Sequence, residues 1–502
     1  MKEKRFPFRT VKISKTTARR GNLKRRFLWL TVYLLEMMTF AEKSVADLRL
    51  RTEPSSSSIS FVSEVLKEER TQHRVYGQLR IEGMKYLTEI SETPQLTYSQ
   101  FLSGQLSYVG ETDWLENAVD VAAGTFFSQN QSHFVVHELY TSPRTQGYRV
   151  YVGRKKNGWS EADHEWNLGV WQPYFELDAL RPQEQGLTGL FLDVNNTEWQ
   201  VLGMVTPIFI PTLGPDIREE DGGLVADSRW YHAPSRQADL ITNKPTPITY
   251  KLSIPEAAKL AAHGGYAFMG RVGNKDKGFW AVSSYGYMPV NKLLLKRNIK
   301  YQINQDVGVI VSPDLNYHSV FSTDLGYTQG NARVTFSFLQ DNPEDKLPDQ
   351  DWVLQKIYPL RAYTAGIEWT IPKFFSRSIS LQLDYLRVDG GEIEDIGSDG
   401  AVDDLNLFDQ RVKFTDAVKV KMQGELARIY RHPLRVHFSY LYDKEQKGSM
   451  VNTEFMFYPK QELALLLGAD FLGTAENTPK TSGFLNQYRA NDRIYGGMTY
   501  VF

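Results

Sequence analysis

The feature that most constrains this chain is an alternation of apolar and polar side chains, two residues to the repeat, that begins near residue 74 and persists to the last residue. Successive side chains of a strand point to opposite faces, so a period of two specifies strands with one apolar and one polar side. Over residues 74–83, Val75, Gly77, Leu79 and Ile81 share one face, and Tyr76, Gln78, Arg80 and Glu82 the other. Tyr363, Ala365, Ile367, Trp369 and Ile371 likewise oppose Thr364, Gly366, Glu368 and Thr370, and Val418, Val420, Met422 and Leu426 oppose Lys419, Lys421, Gln423 and Glu425. The 27 Tyr, 27 Phe and 10 Trp suit strands as well.

A soluble sandwich alternates too, so the connections decide. Short ones at 328–331, 372–376, 429–432 and 459–461 interleave with long polar ones at 341–360, 389–412 and 473–487. Tight turns at one end and long loops at the other describe an up-and-down antiparallel barrel that crosses a membrane. The connection at 444–448 is short for its end. Alternating segments fall near 75–88, 98–109, 116–128, 132–142, 147–155, 187–195, 197–209, 264–273, 278–289, 317–327, 332–340, 361–371, 377–388, 413–428, 433–443, 449–458, 462–472 and 488–502. The expected fold is therefore all-β, a transmembrane antiparallel barrel of about 18 strands within a range of 16–20. Residues 290–316 are ambiguous, and a hairpin there would make twenty.

Beyond the first 41 residues no apolar run approaches the ~20 residues a membrane-crossing helix needs. The chain has no Cys, which rules out disulfides, thiolate metal sites and a cysteine nucleophile. Residues 1–26 carry eleven Lys and Arg against the single acid Glu3, and the apolar stretch 27–35 follows. A basic region, a short apolar region and small residues before a cut describe an export signal, with cleavage expected after Ala41, the alternative being Ala46. Residues 42–73 read as a periplasmic linker and 74–502 as the barrel. Removing residues 1–41 leaves 47 bases against 57 acids, a net charge of −10, which argues against a nucleic-acid partner.

The polar faces supply the candidate pore-lining residues: Arg80, Glu82, Arg149, Arg333, Glu368, Asp384, Lys419, Lys421, Glu425, Arg435 and Glu454. Both signs are present, so no ion selectivity follows. Residues 212–263 exceed an ordinary hairpin loop and carry a helix signal, with Ser253 as N-cap, Pro255 in the first turn and Gly264 after the end. Such a loop either caps the barrel from outside or folds inward as a constriction. His133 and His137 share a strand face, with Glu138 pointing away, which makes an incomplete ligand set. The acids over 389–409 follow no calcium-loop pattern and read as a solvated loop. Neither a metal nor a cofactor is expected. No Gly-x-Ser-x-Gly, His-Glu-x-x-His or Walker pattern occurs, so no catalytic residue is assigned.

The final residues alternate Ile494, Gly496, Met498, Tyr500 and Phe502 on one face. This resembles the C-terminal strand of bacterial outer-membrane barrels, and the resemblance implies that Met498, Tyr500 and Phe502 form a signal read by the barrel-assembly machinery. A second motif comprises the run from Val152 and Gly153-Arg154 to Trp159, followed by Trp171-Gln172-Pro173. It is similar to porin-like and alginate-export-like barrels, with Lys155 where those show Gln. Trp159, Trp166 and Trp171 read on their own as interfacial or loop-packing aromatics. The resemblance implies residence among outer-membrane lipids and a channel passing polar small solutes or saccharides. The alternative is a non-conducting barrel whose external loops serve adhesion or envelope assembly.

Overall fold

The computed structural model describes residues 73–90, 93, 95–112, 114–143, 145, 147–238, 246–301, 307–374, 377–397, 402–403, 411–475 and 483–502. The expected export signal and nearly all of the linker lie outside them. Eighteen strands form one sheet, every pair antiparallel. In chain order they are β1 His73–Tyr86, β2 Tyr98–Glu111, β3 Leu115–Phe126, β4 Gln131–Pro143, β5 Arg149–Lys155, β6 Leu187–Asn195, β7 Trp199–Thr206, β8 Gly265–Asn274 and β9 Lys277–Pro289. They continue as β10 Tyr317–Gln329, β11 Ala332–Pro343, β12 Leu360–Phe374, β13 Arg377–Gly390, β14 Asp416–Ile429, β15 His432–Asp443, β16 Gly448–Lys460, β17 Leu463–Thr474 and β18 Arg493–Val501. Each strand pairs with the next. The ring closes between β1 and β18, from Gln78 opposite Val501 to Tyr86 opposite Arg493. Closure leaves no edge with unpaired backbone groups.

All connections at the end where β1 starts and β18 stops are short, for example 275–276, 330–331, 430–431 and 461–462. The other end carries 87–97, 156–186, 207–264, 290–316, 344–359, 391–415 and 475–492, together with two short turns at 127–130 and 444–447. Residues 290–316 do supply a hairpin, Leu294–Tyr301 with Val307–Asp314, but it stays out of the wall. It joins a separate sheet built by the loops, pairing in parallel with Thr246–Leu252 and antiparallel with Trp352–Ile357.

Polarity across the wall is the reverse of a soluble protein's. Val75, Leu79 and Ile81 are exposed on the outside, whereas Glu82, at 1% exposure, is buried on the inside. Leu190, Phe268, Phe321, Phe336, Ile367, Leu383, Val420 and Leu467 repeat this outward exposure around the ring. Tyr317 and Tyr327 stand at the two ends of the outer face of β10. Ten residues at a ~40° tilt set them roughly 25 Å apart along the axis, the height of a bilayer's apolar layer. Tyr266, Tyr287 and Tyr317 adjoin one another at the long-loop end, and Trp199, Phe279 and Trp369 are exposed near the other. Apolar side chains between two aromatic girdles are the outer surface of a transmembrane barrel.

Candidate functional site: the barrel interior

What fills the ring is the segment 156–186, between β5 and β6. Its helix α1, Glu161–Trp166, is capped by Ser160, whose side chain accepts from the Asp163 amide at 3.5 Å. Buried Asp163 in turn accepts from the amides of Val170 at 2.8 Å and Trp171 at 3.1 Å, which folds the chain back after the helix. Burial pushes that carboxyl up to about 6. Trp159 stacks on Trp171 at 5.3 Å, and both belong with Trp166, Trp280, Phe191 and Leu386 to the main apolar cluster inside the ring. These tryptophans therefore pack a loop and do not mark the membrane interface. The Trp159 carbonyl accepts from Ser284 at 2.7 Å on β9 and Ser322 at 3.0 Å on β10.

The segment's acids meet wall cations. Glu161 lies 2.6 Å from Lys275 and 3.0 Å from Arg333. Burial pushes its carboxyl up, but those two cations outweigh that and hold it at about 2. Glu165 contacts Lys421 and lies 2.7 Å from Lys419. Against the opposing effect of burial, this pair keeps it well below the usual carboxylate range. Glu176 pairs with Lys413 at 3.0 Å, and Asp178 with Arg493 at 2.8 Å. One segment base runs the other way: Arg181 lies 2.8 Å from Glu82 and 3.8 Å from Asp470. The contacts reach β1, β11, β14, β17 and β18, so the segment crosses the interior.

The crossing is made by 156–186, whereas residues 212–263 were expected either to cap the barrel from outside or to fold inward. Residues 207–238 pass over the long-loop end to the far rim. There buried Arg229 donates to the carbonyls of Thr88 at 2.7 Å, Ala490 at 2.7 Å and Leu96 at 3.2 Å, and to Asn491 Oδ1 at 3.0 Å. The expected helix is present as Ala257–Ala261, but Glu256 is its N-cap. Ser253 stands four residues before the first helical residue, too far to cap it, and its amide donates to the Val311 carbonyl, which extends the loop sheet.

Of the candidate pore residues, Glu82, Arg333, Lys419 and Lys421 meet the inward segment. Asp384 lies 4.0 Å from Lys419. Arg80 joins Glu82 to Glu454, the latter at 3.4 Å. Glu368 accepts from Ser380 at 3.2 Å. Arg149 pairs with Glu116 at 3.1 Å at the short-turn rim, and Glu425 with Arg377 at 3.3 Å and Arg428 at 2.7 Å. Arg435 rests over the Tyr458 ring at 5.3 Å.

A register shift between Asp120 and Val121 on β3 accompanies an extra residue on β4. Glu138 consequently turns inward and accepts from the Lys156 amide at 2.9 Å, contrary to the strict alternation expected of it. His137 reaches the Glu184 carbonyl at 3.3 Å, and His133 packs on Phe175 at 4.8 Å. Among the described residues no group of three His, Asp or Glu is placed to hold a metal ion. Of the acids over 389–409, Asp395 is buried against Arg297 at 3.0 Å; Asp399 and Asp404 lie outside the described residues.

Sequence reasoning missed Glu161, Glu165, Asp178, Arg181, Asp470 and Arg493. The available signal was six acids and three tryptophans within 159–184, a composition foreign to a solvated loop.

No family model and no curated protein matches the chain. Among solved structures it is similar to Acinetobacter baumannii OccAB3, with 11% identity over 86% of this chain and 99% of that one and a TM-score of 0.43. It is also similar to Pseudomonas aeruginosa OpdQ, at 9% identity over 86% and 98%, TM-score 0.43, and to Salmonella typhi OmpF in complex with daunomycin, at 10% over 86% and 97%, TM-score 0.38.

Proposed function

We propose that the chain is a channel of the bacterial outer membrane, passing polar small solutes or saccharides through the barrel. The short-turn end then faces the periplasm and the long loops face outward. The observation that carries this reading is that charged groups inside the ring remain open to water: the side chains of His164, Arg333 and Arg181 are 53%, 30% and 28% exposed. A wall lined by Arg80, Glu82, Arg149, Arg333, Glu368, Asp384, Lys419, Lys421, Glu425, Arg435 and Glu454 would hydrate solutes at no cost in lipid, and both signs tune which ones pass. Outward Met498 and Tyr500, with Phe502, serve as the signal to the assembly machinery.

The test is planar-bilayer recording of the purified barrel, its closure checked by heat-modifiable gel migration. Discrete current steps in KCl are expected. A second reading has an observation of its own. The inward segment touches strands all around the ring and the Arg229 strap crosses the mouth, which suits a barrel that does not conduct and works through its loops. A closed barrel silent at every voltage would decide for it.

A further inference from the structure

The inward segment is held by two different kinds of contact. Residues 159–171 are fixed by Trp159, Trp166, Leu168, Val170 and Trp171 in the main cluster. After them Tyr174–Phe175 pairs with Gln183–Glu184, so that the chain between forms a hairpin pointing across the ring. Phe175 and Leu177 seat its near side on Met84, Leu466 and Tyr495. Residues 178–184 at its far side are all partly exposed; Ala179 and Leu180 rest against the edge of the main cluster, and charge ties down the remainder. Asp178 meets Arg493 at 2.8 Å. Arg181 meets Glu82 at 2.8 Å and Asp470 at 3.8 Å, and lies 4.1 Å over the Tyr495 ring. All these partners stand on β1, β17 and β18, the strands that flank the closing seam. They are themselves fixed: the side chains of Glu82, Asp470 and Arg493 are 0%, 3% and 1% exposed.

We infer that this hairpin tip is a gate, held across the passage by the clasp of Asp178 and Arg181 on Glu82, Asp470 and Arg493, and that solutes pass when the clasp lets go. The inference rests on the channel reading and explains how a ring crossed by its own chain conducts. On the tip side of these pairs water reaches Arg181 and Asp178, whose side chains are 28% and 13% exposed, while a base set in four tryptophans stays put. The tip is therefore the part that moves, and Arg181, which holds two carboxylates and a ring, is its positioning residue.

The experiment compares Arg181→Ala, Asp178→Asn and Arg181→Lys with the unaltered barrel in KCl. The expected result is an open probability raised about tenfold or more in the first two and retained near the original value in Arg181→Lys. The chain contains no Cys, so Pro182→Cys gives a single thiol on the tip. Its reaction with a membrane-impermeant maleimide should quicken when Arg181→Ala is added. A barrel with the 174–184 hairpin replaced by a short Gly-Ser link separates the two ideas. If it conducts while Arg181→Ala leaves both current and labelling unchanged, the gate is wrong and the channel stands. If it is closed by gel migration yet silent, the channel reading falls and the gate with it.

Discussion

His164 shows how the interior sets the behaviour of single residues. Its ring lies 3.3 Å from Glu184. The hydrogen bond to that carboxylate raises it to about 9, against the opposing effect of burial. A histidine raised in the folded state contributes stability in full below its ordinary value near 6.5, and that contribution is lost as pH climbs through about 9. Half of the imidazole is open to water, so screening keeps the gain small. The prediction concerns the titration: one histidine ring signal, absent from His164→Ala, should titrate well above 6.5 by NMR and return toward it in Glu184→Gln. A midpoint near 6.5 in the unaltered protein would show that Glu184 does not hold the proton. The sequence gives no hint of this pair, because residues twenty apart in a connection have no periodicity to link them. Glu165 and Lys419 are further apart still. By contrast, the inward aim of Arg80, Glu82, Lys419 and Lys421 follows from their parity against Leu79, Ile81, Val418 and Val420.

Among elements, the wall was legible because alternation recurs in every strand and turns fall where it breaks. The eighteen expected segments match β1–β18 one for one, with ends displaced by a few residues. Residues 290–316, ambiguous in sequence, do form two strands, yet pair outside the wall. Their two neighbours in that sheet come from other loops, and cross-strand partners so distant leave no local trace. The seam makes a quantitative case. On β18, a Cβ at Gly497 would stand 2.1 Å from the Ile81 carbonyl oxygen of β1, too close for any real contact, whereas at Gly496 the nearest atom is 3.5 Å away. Gly497→Ala should therefore force the closing strands apart and cost about 1–3 kcal/mol, as overpacking does, while Gly496→Ala should be close to neutral. The midpoint temperature of heat-modifiable gel migration measures both. Equal midpoints for the two variants would mean that the seam yields more easily than its backbone geometry implies.

For the whole molecule, the governing fact is the inversion of polarity between the two sides of one closed sheet. Neighbouring residues of β13 isolate it. Leu383 is 49% exposed on the outer face near mid-strand. Gln382 faces inward, where its amide donates to Asp384 at 3.1 Å. An arginine at either position adds the same charge to the same strand, and only the surroundings differ. On the outer face the guanidinium would sit in hydrocarbon at a cost of about 2–4 kcal/mol, with less toward the rims. On the inner face it would lie among Glu368, Asp384 and water. Leu383→Arg should thus depress the folded fraction recovered in lipid vesicles, while Gln382→Arg folds like the parent. In a detergent with a thin, pliable belt the gap between them should narrow, because the outer guanidinium can reach water by a small displacement. Equal folding of the two in vesicles would mean that the outer face does not meet lipid, and the channel would lose the membrane it needs to cross.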